Sequence, residues 1–303
     1  MPIISVIIPT LNAADYIEGL LDGLLAQTYI PDEILLVDSS SEDDTLKIAS
    51  QYPVKTITIS KKDFDHGGTR NLGVRHTNGD VIVFLTQDAI PTNKYFIERL
   101  IAPLESPLIA ASHGRHIPKK EANPIERFSR AFNYPEIPLL KNKVSLDKIG
   151  IKAFFFSDVC SAIRRKEFNI VEGFPERIIS NEDMNIAARL ILNGFTIAYV
   201  PEAGVYHSHN YNLINLFKRY FDIGVSFAQN NWLLKYANPK DEGRKYIREL
   251  TRFLTKGKAY PYIPLMILES ISKYIGYRLG LIHDYLPFFI KKRLSMNHMF
   301  FSK

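Results

Sequence analysis

Five short stretches of this 303-residue sequence hold side chains that could do chemistry together. Asp88, in Leu85 Thr86 Gln87 Asp88 Ala89, is an acid closing an apolar run, and a hard divalent cation bridging phosphates needs only one or two such carboxylates. His207 and His209 add possible imidazole ligands; at a spacing of two, both face one side of an extended segment. Phe64 Asp65 His66 Gly67 Gly68 Thr69 Arg70 Asn71 joins two glycines and a fixed cation at a helix start. Free amides there favour an anion, and Arg70 can fork onto a phosphate or a base carbonyl. Glu182 and Asp183 open another helix, where the dipole favours ionised carboxylates. Capping accounts for one of the two and leaves the other for general-base work. Asp158, in the apolar run Phe154 to Ile163, either orients a substrate or ends a hydrogen-bond ladder.

These groups need a frame, and the hydrophobic pattern supplies one. Ile3 to Ile8 is a β-branched run closed by Pro9 and Thr10, as expected for a strand buried on both faces. Asn12 is placed to cap a helix carrying Ile17, Leu20, Leu21, Leu24 and Leu25 at helical spacing. Strands follow at Glu33 to Val37, ending in Asp38, then at Val54 to Ile59 and Val81 to Thr86. Helices are expected over Thr45 to Gln51, Gly68 to His76 and Asn93 to Leu104. Strands and helices alternating at this spacing imply right-handed βαβ units and a largely parallel sheet, whose ligands bind beyond the carboxyl ends of the strands. Thr10, Asn12, Asp38, Asp65 to Arg70 and Asp88 all fall at such ends.

Past Pro107 the pattern changes: a strand over Leu108 to Ser112, an irregular stretch to about Gly150, a buried strand over Phe154 to Ile163, a helix from Asn181 to Leu192 and a strand over Thr196 to Val200. From Leu213 the chain reads as helical. The expected division is an α/β domain over 1–210, split near 107 into nucleotide and acceptor parts, and a helical extension over 211–303.

Composition narrows the class of protein. Apolar and charged residues are mixed throughout, which excludes fibrous and disordered chains. No basic leader precedes the first apolar run, no apolar stretch is long enough for a bilayer, and the lone Cys160 suits a reducing compartment, so a cytoplasmic location is expected. Net charge is +6, but residues 212–303 hold sixteen Lys and Arg against six acids, leaving −4 for the remainder. A basic, aromatic tail with Lys291 Lys292 Arg293 beside Leu286 Pro287 Phe288 Phe289 Ile290 suits peripheral contact with an anionic membrane or packing in a homodimer; no nucleic-acid partner is expected.

Together these residues resemble the family-2 inverting nucleotide-sugar glycosyltransferases of GT-A fold. Ser5 Val6 Ile7 Ile8 Pro9 Thr10 Leu11 Asn12, Val37 Asp38 Ser39 Ser40 Ser41, and Glu182 Asp183 match that family's pattern over roughly residues 1–210. The 64–71 segment, Thr86 Gln87 Asp88 Ala89 and Lys273 Tyr274 Ile275 Gly276 Tyr277 Arg278 Leu279 Gly280 resemble its bacterial rhamnosyltransferase branch. The resemblance implies that a dTDP- or UDP-sugar is held by Pro9, Thr10, Asn12, Asp38, Asp65, His66, Arg70, Gln87 and Asp88. It implies that Asp88 binds Mg2+ or Mn2+ with His207 or His209, that Asp183 is the catalytic base, and that Asp158 and Glu182 meet a saccharide or lipid-linked acceptor. One departure is visible: Thr86 stands where the family's metal motif keeps a first carboxylate. Other classes fit less well. A nucleotidyltransferase should carry its glycine loop after the first strand, not the third, and an oxidoreductase should show a glycine fingerprint that Pro9 Thr10 Leu11 Asn12 Ala13 lacks. A binder that has lost turnover is suggested only by Thr86.

Overall fold

The computed structural model describes residues 2–236 and 239–302. The chain forms two compact units: residues 1–117, 134–176 and 182–207 make the first, and 118–133, 177–181 and 208–303 the second. Two segments from earlier in the chain, 118–133 and 177–181, belong with the tail in the second unit.

Strand β1 (Ile4–Thr10) leads into α1 (Ala14–Leu25), β2 (Glu33–Asp38), α2 (Thr45–Ala49), β3 (Lys55–Thr58), α3 (His66–Arg75) and β4 (Val81–Leu85). A two-residue β5 (Ile90–Pro91), α4 (Phe96–Ile101) and β6 (Ile109–Ile117) follow. The chain then gives α5 (Pro124–Asn133) to the second unit and returns with β7 (Leu139–Lys141), α6 (Lys143–Ile149), β8 (Cys160–Arg164), α7 (Arg165–Ile170), α8 (Glu182–Leu192) and β9 (Thr196–Tyr206). The sheet order is β3-β2-β1-β4-β8-β6-β9-β5, with β7 on β9. β3, β2, β1, β4 form one parallel block, and β6 pairs in parallel with β9, so most laddered residues are parallel; β8 is antiparallel to both β4 and β6.

The interior of β1 and all of β4 are covered on both faces, which is why these strands read as unbroken apolar runs. Ile4, Val6 and Ile8 pack with Leu20, Leu21 and Leu24 of α1 and with Phe96 and Leu100 of α4. Several expectations are corrected. Asn12 does not cap α1: Ala13 holds the cap position, while Asn12 adopts a left-handed φ of 48° and accepts from Glu42 N at 2.9 Å. The 154–163 run is strand only from Cys160; Gly150–Phe154 is a 3-10 turn, and residues 155–159 are irregular and end in a turn. The stretch taken as irregular holds β6 out to Ile117, α5, β7 and α6.

The second unit is helical: α5 with α9 (Leu213–Gln229), α10 (Pro239–Lys256), α11 (Tyr262–Leu281) and α12 (Phe288–Leu294). α9 and α11 pack closely because Gly276 and Gly280 present bare backbone. A Cβ at Gly280 would run into Phe221 O and one at Gly276 into Phe217 O. Among the described residues, no helix is long and apolar enough to cross a membrane.

Candidate active site

The exits of β1, β2 and β4 are tied by side chains. Asp38, fully buried at the end of β2, accepts from Thr10 Oγ1 at 3.1 Å, from Ser41 Oγ at 2.5 Å and from Ser41 N at 2.8 Å. Ser41 Oγ in turn accepts from Asn12 N at 2.8 Å, so Thr10, Asn12 and Asp38 meet in one knot. Gln87, after β4, grips the β1 exit twice, accepting from Leu11 N at 2.8 Å and donating to Leu11 O at 3.2 Å. Pro9 lies in β1 opposite Val37. These residues are joined as the sequence suggested, but Asp38 is filled by its own turn.

Asp88 is buried beside them. Thr86 Oγ1 donates to its Oδ1 at 2.9 Å, while Oδ2 lies 3.5 Å from His207 Nε2. A carboxylate oxygen and an imidazole nitrogen this close could both serve one small divalent cation. The His207 ring meets His116 edge-on at 5.1 Å, and His116 stacks on Tyr134 at 3.9 Å, which fixes the imidazole from behind. His209 falls two residues further on, in the second unit, with its ring 5.3 Å from Tyr211. The β4 exit is also bonded to the next region: Thr86 N donates to Val159 O at 3.2 Å, one residue past Asp158.

That region is an acid cluster around one arginine. α3 starts at His66, and its cap is Asp65, which accepts from Gly68 N at 2.6 Å. Gly67 is required because a Cβ would strike Pro175 O. The helix turns Arg70 inward, where its Nε stands 2.9 Å from Asp158 Oδ2 and its Nη1 3.6 Å from Glu182 Oε1 and 2.8 Å from His66 O. His66 Nδ1 lies 3.6 Å from the same Glu182 oxygen. The resemblance gave Arg70 to the nucleotide; in the structure its guanidinium lies against two carboxylates. The Arg70–Asp158 pair is close but not aligned for a directed hydrogen bond, so Coulomb attraction in a dry setting holds it.

Asp183, half-buried in the first turn of α8, accepts from Met184 N at 2.7 Å. Burial foremost, then Asp158 and Glu182, raises its pKa well above the ordinary carboxylate value. Burial likewise pushes Asp158 up to about 7, against the pull of Arg70. Crowded carboxylates of this kind bind protons tightly, and that makes a base strong enough to take one from an alcohol.

Sequence reasoning missed Lys141 and His113. Lys141 is 2% exposed on β7; its Nζ donates to Phe155 O and to His113 Nε2, the latter at 2.8 Å. Burial lowers the lysine pKa to about 7, while Asp183 pulls it back up. Burial, then Lys141, holds His113 well below its usual value, hence neutral. The only signal was a lysine after two leucines, which reads as a surface strand end.

A parallel-block sheet whose exits carry an acid–imidazole pair next to a crowded aspartate at a helix start is the frame of a GT-A nucleotide-sugar glycosyltransferase. The profile of Glycosyl transferase family 2 matches residues 5–169, and the chain belongs to that family. It is 41% identical over 296 residues to the O-antigen chain rhamnosyltransferase RfbN of Salmonella typhimurium, covering 97% of this chain and 94% of that one. To the O-antigen chain rhamnosyltransferase WbaN of Salmonella anatum it is 40% identical over 300 residues, covering 98% and 95%. Its fold is also that of the mannosyltransferase PcManGT from Pyrobaculum calidifontis, solved with GDP-Man and Mn2+: TM-score 0.62, 17% identity, 94% of this chain and 88% of the other.

Proposed function

We propose that this enzyme moves rhamnose from dTDP-rhamnose onto a lipid-linked saccharide in O-antigen assembly, at the cytoplasmic face of the membrane and with inversion at the anomeric carbon. The observation that carries the reading is the end-to-end similarity, near 41% identity, to O-antigen chain rhamnosyltransferases. In this reading the knot of Thr10, Asn12, Asp38 and Ser41 shapes the nucleotide side and Gln87 fixes its floor.

Asp88 and His207, with His209 following in the chain, would hold Mg2+ or Mn2+; the fit rests on the mixed oxygen and nitrogen donors of the Asp88–His207 pair. When bound, the cation neutralises charge growing on the departing diphosphate. Asp183 accepts the acceptor hydroxyl's proton as that oxygen attacks, so no enzyme nucleophile is needed and the configuration inverts. Asp158 and Glu182 keep Asp183 basic, and Arg70 keeps those two acids in place.

The test is a donor screen: purified protein, Mn2+ and a lipid-linked oligosaccharide, with dTDP-rhamnose, UDP-glucose, UDP-galactose and GDP-mannose offered in turn. Release of dTDP from dTDP-rhamnose alone is expected. Turnover of another donor with none of dTDP-rhamnose removes the sugar assignment.

A further inference from the structure

In the second unit, helices α9 and α12 flank an open cavity of about 480 Å³ that no step above uses. Lys218 from α9, Lys292 and Arg293 from the last turn of α12, and His298 beyond it line this space, together with Asn215 and Phe289. Among the described residues, Lys218, Lys292 and Arg293 form no ion pair with a carboxylate. The acids of the neighbourhood are otherwise engaged. Asp222 is buried and accepts from Met296 N at 2.9 Å and Asn297 N at 3.2 Å, pinning the segment after α12 to α9. Asp284 sits 3.3 Å from His283 Nε2. Three cationic side chains lining one hollow, none of them in an ion pair among the described residues, attract an anion, and two lysines with an arginine suit phosphate oxygens.

The chain leading to this cavity is mostly apolar where it is exposed, with Arg278 and Asp284 the charged exceptions. On α11, Ile267, Leu268, Ile271, Tyr274 and Ile275 all face outward, and at 3.6 residues per turn they fall within about a third of the circumference. Met266, Glu269, Gly276 and Gly280 occupy the opposite, packed side. The exposed apolar series continues through Ile282, Tyr285 at 87%, Phe288 at 59% and Phe289 at 70% exposure. Phe289 therefore belongs both to the apolar series and to the cationic cavity. A soluble anion would account for the cations and leave the apolar face unexplained; a lipid accounts for both.

We propose that this cavity binds the phosphate of an anionic lipid headgroup, while the exposed residues from Ile267 to Phe289 enter the headgroup–acyl boundary beside it. This deepens the membrane part of the reading above by giving it a surface and a ligand chemistry. Binding is measured without donor or acceptor, so its failure leaves the transfer reaction standing, and failure of the donor screen leaves this site standing.

The experiment is flotation of the full chain with phosphatidylcholine vesicles, with and without phosphatidylglycerol. The protein is expected to float with the mixed vesicles and not the neutral ones, less so as salt rises. Lys292→Gln with Arg293→Gln should weaken that binding by roughly tenfold or more, and Ile271→Ser with Phe289→Ser should do so at unchanged helical circular dichroism. Both pairs should keep turnover of a water-soluble acceptor. Inorganic phosphate, titrated alone and against the vesicles at constant ionic strength, should not displace the protein. Equal binding to neutral vesicles overturns the proposal, as does displacement by phosphate, which would make the ligand a soluble anion. A stable dimer that Ile271→Ser dissociates also overturns it, since the apolar face would then be a subunit contact.

Discussion

The two halves of the first unit treat buried polar groups in opposite ways. At the exits of β1 and β2, Asp38 has both oxygens filled by Thr10 and Ser41, all within hydrogen-bond distance. In the acid cluster, Asp158, Glu182 and Asp183 share one arginine and one histidine, and the closest ion pair is poorly aligned. A carboxylate whose oxygens are filled by hydrogen bonds holds loops in position. Carboxylates crowded in a dry place hold protons tightly, which suits proton transfer and weakens the fold. One region is built to hold still, the other to react.

Substitutions should separate the two. The largest effect is expected from Asp183→Asn, which should lower kcat by about 10² to 10⁴ while dTDP-rhamnose affinity by calorimetry stays close to wild type. Next, Arg70→Met leaves Asp158 and Glu182 buried without their cation. Removing one partner of a buried pair typically destabilises by about 3–5 kcal/mol, so chemical denaturation should show a loss on that scale, eased at lower pH as the carboxylates take up protons. Asp88→Ala should raise the Mn2+ concentration for half-maximal rate by about tenfold or more, with thermal stability little changed. The smallest change is expected in the saturated half. Ser41→Ala removes one of three bonds to Asp38 and the acceptor of Asn12 N, and should destabilise by about 1–2 kcal/mol, read as a shift in denaturation midpoint. An Arg70→Met no more harmful than Ser41→Ala would erase the contrast.

How far the sequence revealed this depends on how locally each feature is encoded. β1 and β4 were legible because burial on both faces leaves an unbroken apolar run, and Asp38 and Asp88 were legible because they end such runs. The 154–163 run misled for the same reason: Phe154 and Phe156 are buried, but from a turn rather than a strand. Asn12 has a capping residue's chemistry, yet a positive φ turns its side chain to Glu42. Arg70 was found from its loop but its carboxylate neighbours were not, because Asp158 reaches it from a turn and Glu182 from a helix start far along the chain. Lys141 was invisible: its partners, His113 and Phe155, meet it only through the fold.

The pH dependence of kcat/KM at saturating Mn2+ tests the central claim, that Asp183 is a base made strong by burial and its acidic neighbours. A raised pKa means the proton is lost only at higher pH, so the rate should climb through an apparent pKa well above the ordinary aspartate value of about 3.9. A rate already at its plateau near that ordinary value would contradict it.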